Sequence, residues 1–173
     1  MKKILPILLM IWPYVLILFN SLENETVASI IVSLYLILTV AVYVSNVINA
    51  FKYSGDNASY ELALFNMLMK IVHIPFYLAV FGIGVLFLFA SVVPALLFVT
   101  PILILSLVVI DILLLLTSSM YGINAIRKAR ENDLITTKFA TVNTLMHFFF
   151  VTDVISSIFV YLRIRKQRKL YRA

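Results

Sequence analysis

Long apolar stretches alternate with short polar segments along this chain, and the apolar stretches exceed the helices of ordinary water-soluble domains. The segment from Thr26 to Phe51 carries no charged residue, and the segment from Ile71 to Ile126 carries one, Asp111. About 20 apolar residues are enough for a helix to cross the roughly 30 Å hydrocarbon core of a bilayer. The pattern therefore predicts an all-α fold, a polytopic transmembrane helical bundle.

Polar and proline-containing segments divide the apolar sequence into spans. Pro94 and Pro101 bracket the expected turn in the central apolar stretch, because proline disfavours helix at and before its own position. Pro75 predicts a kink near the start of the third span. We predict a single transmembrane domain, 1–162, with a basic C-terminal tail, 163–173, and five spans near 4–20, 27–50, 74–92, 102–121 and 139–162. Four spans are the alternative, which holds if the polar segment 134–162 lies along the membrane interface.

The N-terminus resembles a signal peptide in having two lysines before an apolar run. It lacks an Ala-x-Ala type cleavage site after Phe19 and contains the bulky Trp12 and Tyr14. We therefore expect the segment to be retained as the first span.

Two sequence regularities suggest how the spans are arranged. In the second span, small or polar residues recur at four-residue steps and predict a packing face, since small side chains let helices approach closely in lipid: Ser29, Ser33, Ala41, Ser45 and Asn49. A two-helix internal repeat is possible, because 48–52 resembles 123–127 and Asn66 to His73 resembles Asn143 to His147. The second resemblance is looser, because the Asn-to-His spacing is seven in one copy and four in the other.

Composition supports the membrane assignment. Of 173 residues, 63% are hydrophobic and 13% are charged, whereas a soluble domain has about one quarter charged residues. The 14 Lys and Arg residues exceed the 8 Asp and Glu residues, and most lie at the ends of apolar runs. The positions of these basic residues indicate how the chain is oriented in the membrane, rather than nucleic-acid binding. Chiefly at the basic tail, they also indicate attraction to anionic lipid headgroups. We expect an integral protein of a bacterial plasma membrane, which forms a homodimer or binds a membrane protein partner.

The positive-inside rule and the five-span count disagree. Five spans place Lys2 and Lys3 on the opposite face from the basic tail, whereas an even number of spans places both basic ends in the cytoplasm. We favour five spans because 139–162 has spanning length.

Four residues form the candidate intramembrane polar site. Asp111 lies in the middle of the fourth span, where a carboxyl group is costly unless it is paired, neutral or part of an ion path. His147 is its expected partner, because antiparallel spans bring the two residues to similar depths, and Asn143 lies one turn away on the same face. In a continuous helix the side chain of Asp153 is turned about 120° from that of His147. We therefore expect Asp153 to face away from the Asp111 and His147 pair, for example toward another protomer.

Lys70 and His73 are weaker candidates. Both are expected near the cytoplasmic start of the third span, where a snorkelling lysine and an interfacial histidine are ordinary. A structural role, in which a polar residue is satisfied by packing or hydrogen bonding, is the favoured interpretation for Asp111, His147, Lys70 and His73.

No catalytic, nucleotide-binding or cofactor motif is recognisable. HExxH, Walker A and GxSxG are absent, there is no cysteine, and two isolated histidines do not form a metal site. We expect no cofactor and no enzymatic activity. The sequence favours a non-enzymatic accessory or regulatory membrane component, with a small transporter or channel protomer that uses Asp111 and His147 as the alternative.

Overall fold

The computed structural model describes residues 3–15 and 24–170, and within these the chain is entirely helical with turns. Six helices follow one another: α1 (Ile4–Ile11), α2 (Glu25–Lys52), α3 (Ala58–Ala90), α4 (Thr100–Glu131), α5 (Thr137–Met146) and α6 (Phe150–Leu170). The all-α prediction is confirmed for these residues. The turn predicted between Pro94 and Pro101 is also present, because α3 ends at Ala90 and Pro101 lies in the first turn of α4.

Three helices are long and apolar enough to cross a membrane: Thr26–Lys52, Ala58–Ala90 and Thr100–Glu131. The predicted spans 27–50, 74–92 and 102–121 largely coincide with parts of these helices. At 1.5 Å per residue, the 33 residues of α3 extend roughly 50 Å, which is more than the hydrocarbon core requires. Length and composition thus indicate an integral membrane protein.

The predicted first span is only partly described. A short helix, α1, and a single 3₁₀ turn account for 4–15, and residues 16–20 of that prediction lie outside the described residues. Pro13 explains the end of α1, because it has no N–H to donate to the carbonyl of Leu9 four residues earlier.

The predicted fifth span is not one helix. The helix is interrupted at 147–149, and the ten residues of α5 extend only about 15 Å. At this turn the Thr152 hydroxyl donates to the Met146 carbonyl over 2.9 Å. We refer to 137–170 as the α5–α6 hairpin. Its tip is apolar, and Phe149 at the turn is 67% exposed.

The basic residues gather at one end of the bundle, which we call the basic end. Lys3 forms a 2.8 Å ion pair with Glu61 in the first turn of α3. Arg168 of α6 lies 4.6 Å above the ring of Tyr60, which is also in the first turn of α3. Lys3 and Arg168 therefore lie at the same end of the bundle, whereas the five-span prediction places the N-terminus and the basic tail on opposite faces of the membrane; Lys2 lies outside the described residues. The segment predicted as a basic tail begins within α6, which continues to Leu170.

The hydrophobic core lies in the half of the bundle nearest the basic end. There α1, α5 and α6 pack against the central α3 and α4 pair and bury Leu62, Met69, Leu114 and Ile164. In the other half, α2, α3 and α4 continue without these helices, and large apolar side chains are exposed, such as Phe81 at 70% and Phe98 at 80%. Exposed apolar surface of this extent is suited to lipid.

The packing face predicted in α2 is found only in part. Ser33 and Ala41 of that face are exposed, and Ser33 donates to the Ser29 carbonyl of its own helix. Asn49 of that face is buried, together with Tyr35 and Asn46, which lie outside the predicted set. The internal repeat is not confirmed, because its first unit is two long helices and its second pairs the long α4 with the short α5.

Candidate functional site

Lys70 is fully buried in the middle of α3 and is surrounded by partners from other helices. Its ammonium group donates to the Leu115 carbonyl over 3.1 Å and to the hydroxyls of Ser118 and Ser119 over 2.7 and 2.9 Å. It also forms an ion pair with the carboxylate of Asp153 at the start of α6. A buried ammonium needs such partners, because an unpaired charge in an apolar interior is very costly.

Asp153 joins Lys70 to His147. One carboxylate oxygen pairs with Lys70, and Oδ1 lies 2.5 Å from His147 Nδ1. All three side chains are fully buried. We call Lys70, Ser118, Ser119, His147 and Asp153 the buried polar cluster. With Nδ1–H donating to the carboxylate, a neutral His147 leaves one cation and one anion in the cluster.

The turn between α5 and α6 creates this geometry. His147 is the first residue after α5, and its carbonyl lies 3.1 Å from the Ser119 hydroxyl of α4. Asp153 lies in the first turn of α6, where a carboxylate interacts favourably with the positive end of the helix dipole. The Ser119 hydroxyl also lies within hydrogen-bond distance of the Leu115 carbonyl and Asp153 Oδ1, so its single proton has alternative acceptors.

Gly122 of α4 packs directly against the cluster. A Cβ atom at this position would lie 2.5 Å from His147 Nε2 and 2.6 Å from Asn66 Nδ2, which is closer than real Cβ contacts allow. His147 Nε2 and both amide atoms of Asn66 are buried, and no hydrogen-bond partner for them is present among the described residues. Two polar groups without partners thus lie beside a position where any Cβ atom would force a neighbouring side chain to shift.

The predicted pair of Asp111 and His147 is wrong, since the hydrogen-bond partner of His147 is Asp153. The prediction assumed a continuous helix through His147, and the turn reverses the chain and brings Asp153 back. Asp111 is partly buried, and its Oδ1 atom has no hydrogen-bond partner within the described part of the chain. Asn143 lies near the cluster without joining it, and its Oδ1 accepts a 2.9 Å hydrogen bond from Ser156 of α6.

Lys70 and His73, which the sequence predicts near the membrane interface, are fully buried within the bundle. Lys70 lies 12 residues after the start of α3 at Ala58, which is about 18 Å along the helix. His73 Nε2 lies 3.1 Å from the Leu9 carbonyl, the group that Pro13 leaves without a donor within α1. His73 therefore joins α3 to α1, whereas Lys70 joins α3 to α4 and α6.

A second polar contact joins α2 to α4 close to the site. The Tyr121 hydroxyl donates to Asn46 Oδ1 over 2.8 Å and accepts from Asn49 Nδ2 over 2.9 Å. Tyr121 precedes Gly122 in the sequence, so this contact also positions the segment of α4 that faces His147.

Sequence reasoning missed several residues of the site. In a single sequence, small size is the only feature that distinguishes Ser118, Ser119 and Gly122. Asn66 was noted only as part of the possible internal repeat. The described residues contain no group of three His, Cys, Asp or Glu side chains that could hold a metal ion.

The fold and the site define an integral membrane helical bundle with an ion-paired cluster in its interior. Residues 2–167 match the model of a family of unknown function, DUF6652, and the chain belongs to that family. A comparison with curated proteins and one with solved structures each found no match.

Proposed function

We propose that this protein is a non-enzymatic, regulatory component of a bacterial plasma membrane in which the buried polar cluster responds to protonation and controls docking of the α5–α6 hairpin. The observation that carries the proposal is the ion pair of Lys70 and Asp153 with His147 as third member. These groups connect the hairpin to α3, and α4 adds the hydroxyls of Ser118 and Ser119.

The energetics of the cluster support a two-state behaviour. A buried ion pair tolerates its desolvation only while both charges are present, and loss of one partner costs about 3–5 kcal/mol because it leaves the other charge uncompensated. Ionisable groups inside a membrane are functional candidates by default for the same reason. The short α5 and the apolar tip are consistent with a hairpin that enters and leaves the membrane on one side.

The direction of the response follows from the charges. Among the described residues, the titratable groups near Asp153 are Lys70 and Tyr77 from α3 and His147 from the hairpin, and α4 contributes the Ser119 hydroxyl. At neutral pH, the positive charge of Lys70 and the negative charge of Asp153 cancel. A proton on either His147 or Asp153 leaves a net positive charge in the apolar interior, so acidification weakens docking of the hairpin. Histidine suits this role because its side chain commonly acts as a proton-dependent switch in proteins.

The basic end is proposed to face the cytoplasm. Lys3 and α6 share this end, which agrees with an even number of crossings and with the positive-inside rule. The exposed basic residues of α6 are then available to anionic lipid headgroups: Arg163, Arg165, Lys166 and Lys169.

Site-specific labelling tests the proposal, and the absence of native cysteine allows single-cysteine variants. Phe149→Cys at the hairpin tip should react slowly with a water-soluble thiol reagent at pH 8 in liposomes and faster at pH 5. Rates are normalised to Lys169→Cys on the exposed face of α6, which corrects for the pH dependence of the reagent. In the triple variant Lys70→Gln/His147→Gln/Asp153→Asn, which keeps polarity without any ionisable group in the cluster, labelling should stay slow at both pH values. A normalised wild-type rate that does not change with pH would refute the proposal.

A transporter or channel protomer is the second candidate, and it is favoured by the unpartnered His147 Nε2 and Asn66 amide beside Gly122. Buried polar atoms of this kind are suited to an exchanging proton or water. Proton flux into dye-loaded proteoliposomes, present in the wild type and absent in His147→Gln, would support this candidate over the regulatory one.

A further inference from the structure

An apolar cleft lies between α3 and α4 in the half of the bundle away from the basic end. Its volume is about 260 Å³. Its lining includes Val80, Phe81, Gly84, Leu88, Leu107 and Asp111. Phe81 and Leu88 are largely exposed, so the cleft opens on the surface suited to lipid.

Asp111 supplies the only charged group in the lining of this cleft. Its Oδ1 atom is buried without a hydrogen-bond partner, and no ion pair with Asp111 is present among residues 3–15 and 24–170. A carboxylate in such surroundings gains most from a cationic hydrogen-bond donor, since contacts between opposite charges are strong where water is excluded. The buried polar cluster does not supply that donor, because Lys70 and His147 are engaged with Asp153.

We infer that the cleft binds an amphiphilic cation, namely a protonated amine that carries a single alkyl chain. The ammonium group would bind Asp111, and the chain would lie along Phe81, Gly84 and Leu88. A volume of about 260 Å³ is below the usual range of roughly 300–1,000 Å³ for drug-sized ligands, so one short chain fits and a two-chain lipid does not. An amphiphile dissolved in the membrane reaches the opening laterally.

Gly84 keeps the cleft open, and its neighbour Gly82 provides a matched control. A Cβ atom at either glycine meets no other atom within 4 Å, so a side chain can begin at both positions without a clash. Gly84 lines the cleft and Gly82 does not. Gly84→Leu should therefore fill the binding site, and Gly82→Leu should add the same volume to the same helix elsewhere.

Photoaffinity labelling tests the inference on the full chain in nanodiscs of zwitterionic lipid. The probe is decylammonium with a diazirine in its chain, compared with the matching decanol probe, and crosslinks are mapped by mass spectrometry. The ammonium probe should label the peptides of 80–88 and 104–111 in the wild type and in Gly82→Leu. Labelling there should fall roughly tenfold in Asp111→Asn and disappear in Gly84→Leu.

Two results would overturn the inference. The first is equal labelling of these peptides by the ammonium and alcohol probes, which would show that the carboxylate does not select a cation. The second is a dimer, seen by native mass spectrometry in the same nanodiscs, that Gly84→Leu dissociates and Gly82→Leu does not. In that case the cleft is an interface with a second copy of this chain. Circular dichroism and a monodisperse elution profile confirm that each variant is folded.

Discussion

His147 and Asp153 are six residues apart, and a three-residue interruption between α5 and α6 brings His147 Nδ1 to 2.5 Å from Asp153 Oδ1. In a continuous helix these side chains would point about 120° apart. The interruption therefore allows the second charge of the Lys70 ion pair to come from the α5–α6 hairpin.

Removing one charge of the ion pair should destabilise the bundle more than removing both. Asp153→Leu leaves Lys70 uncompensated and should lower the free energy of unfolding by about 3–5 kcal/mol. Lys70→Met/Asp153→Leu removes both charges and should recover most of that loss. Unfolding in mixed micelles measures both variants, and a double variant less stable than Asp153→Leu would contradict the assigned pairing.

Gly122→Ala should destabilise the protein, although alanine normally favours helix by up to about 1 kcal/mol over glycine. The new methyl group would collide with His147 Nε2 and Asn66 Nδ2, and overpacking of this kind costs about 1–3 kcal/mol. Gly82→Ala is the control, because its methyl group meets no atom within 4 Å. Thermal unfolding in detergent compares the two, and equal midpoints would show that His147 does not pack against Gly122.

The hydrogen bond from His73 to the Leu9 carbonyl should matter only while Pro13 leaves that carbonyl without a helical donor. His73→Leu should cost about 1–3 kcal/mol because it leaves a buried carbonyl unsatisfied. In a Pro13→Ala background the new backbone N–H can bind Leu9, so the same substitution should cost less. A double-mutant cycle measures the coupling, and strictly additive effects would exclude this explanation.

Tyr121→Phe should loosen α2 from α4 by removing the hydroxyl that joins Asn46 and Asn49. Two buried amides lose a partner, so we expect a loss of about 1–3 kcal/mol. Tyr161→Phe also removes an interhelical hydroxyl contact, with Tyr60 at the less buried basic end, and should cost less. The ranking is measured by unfolding, and the reverse order would contradict the assigned roles.

Lys3 and α6 should lie on the same side of the membrane, and the turn between α3 and α4 should lie on the other side. Single cysteines replacing Lys3 and Lys169 should react with an impermeant reagent from one side of oriented vesicles, and Val92→Cys should react from the opposite side. Reaction of Lys3→Cys and Lys169→Cys from opposite sides would instead restore the odd number of crossings.

Local chemistry determined the helical class and the segments most suited to the membrane. Uninterrupted apolar runs predicted the regions covered by α2, α3 and α4, because hydropathy and length are properties of one segment at a time. Pro94 and Pro101 predicted the turn between α3 and α4 for a similar reason, since proline restricts the backbone wherever it occurs.

Only the tertiary structure decided which polar residues meet. Lys70 has the pattern of an interfacial lysine, and its burial depends on α4 and α6 covering that face of α3. His147 and Asp153 were candidates from the sequence, but their pairing depends on a turn for which 147–149 contain neither proline nor glycine. Depth along a helix can be counted from the sequence, whereas rotation about the helix axis and the return of the α5–α6 hairpin are set by contacts between distant residues.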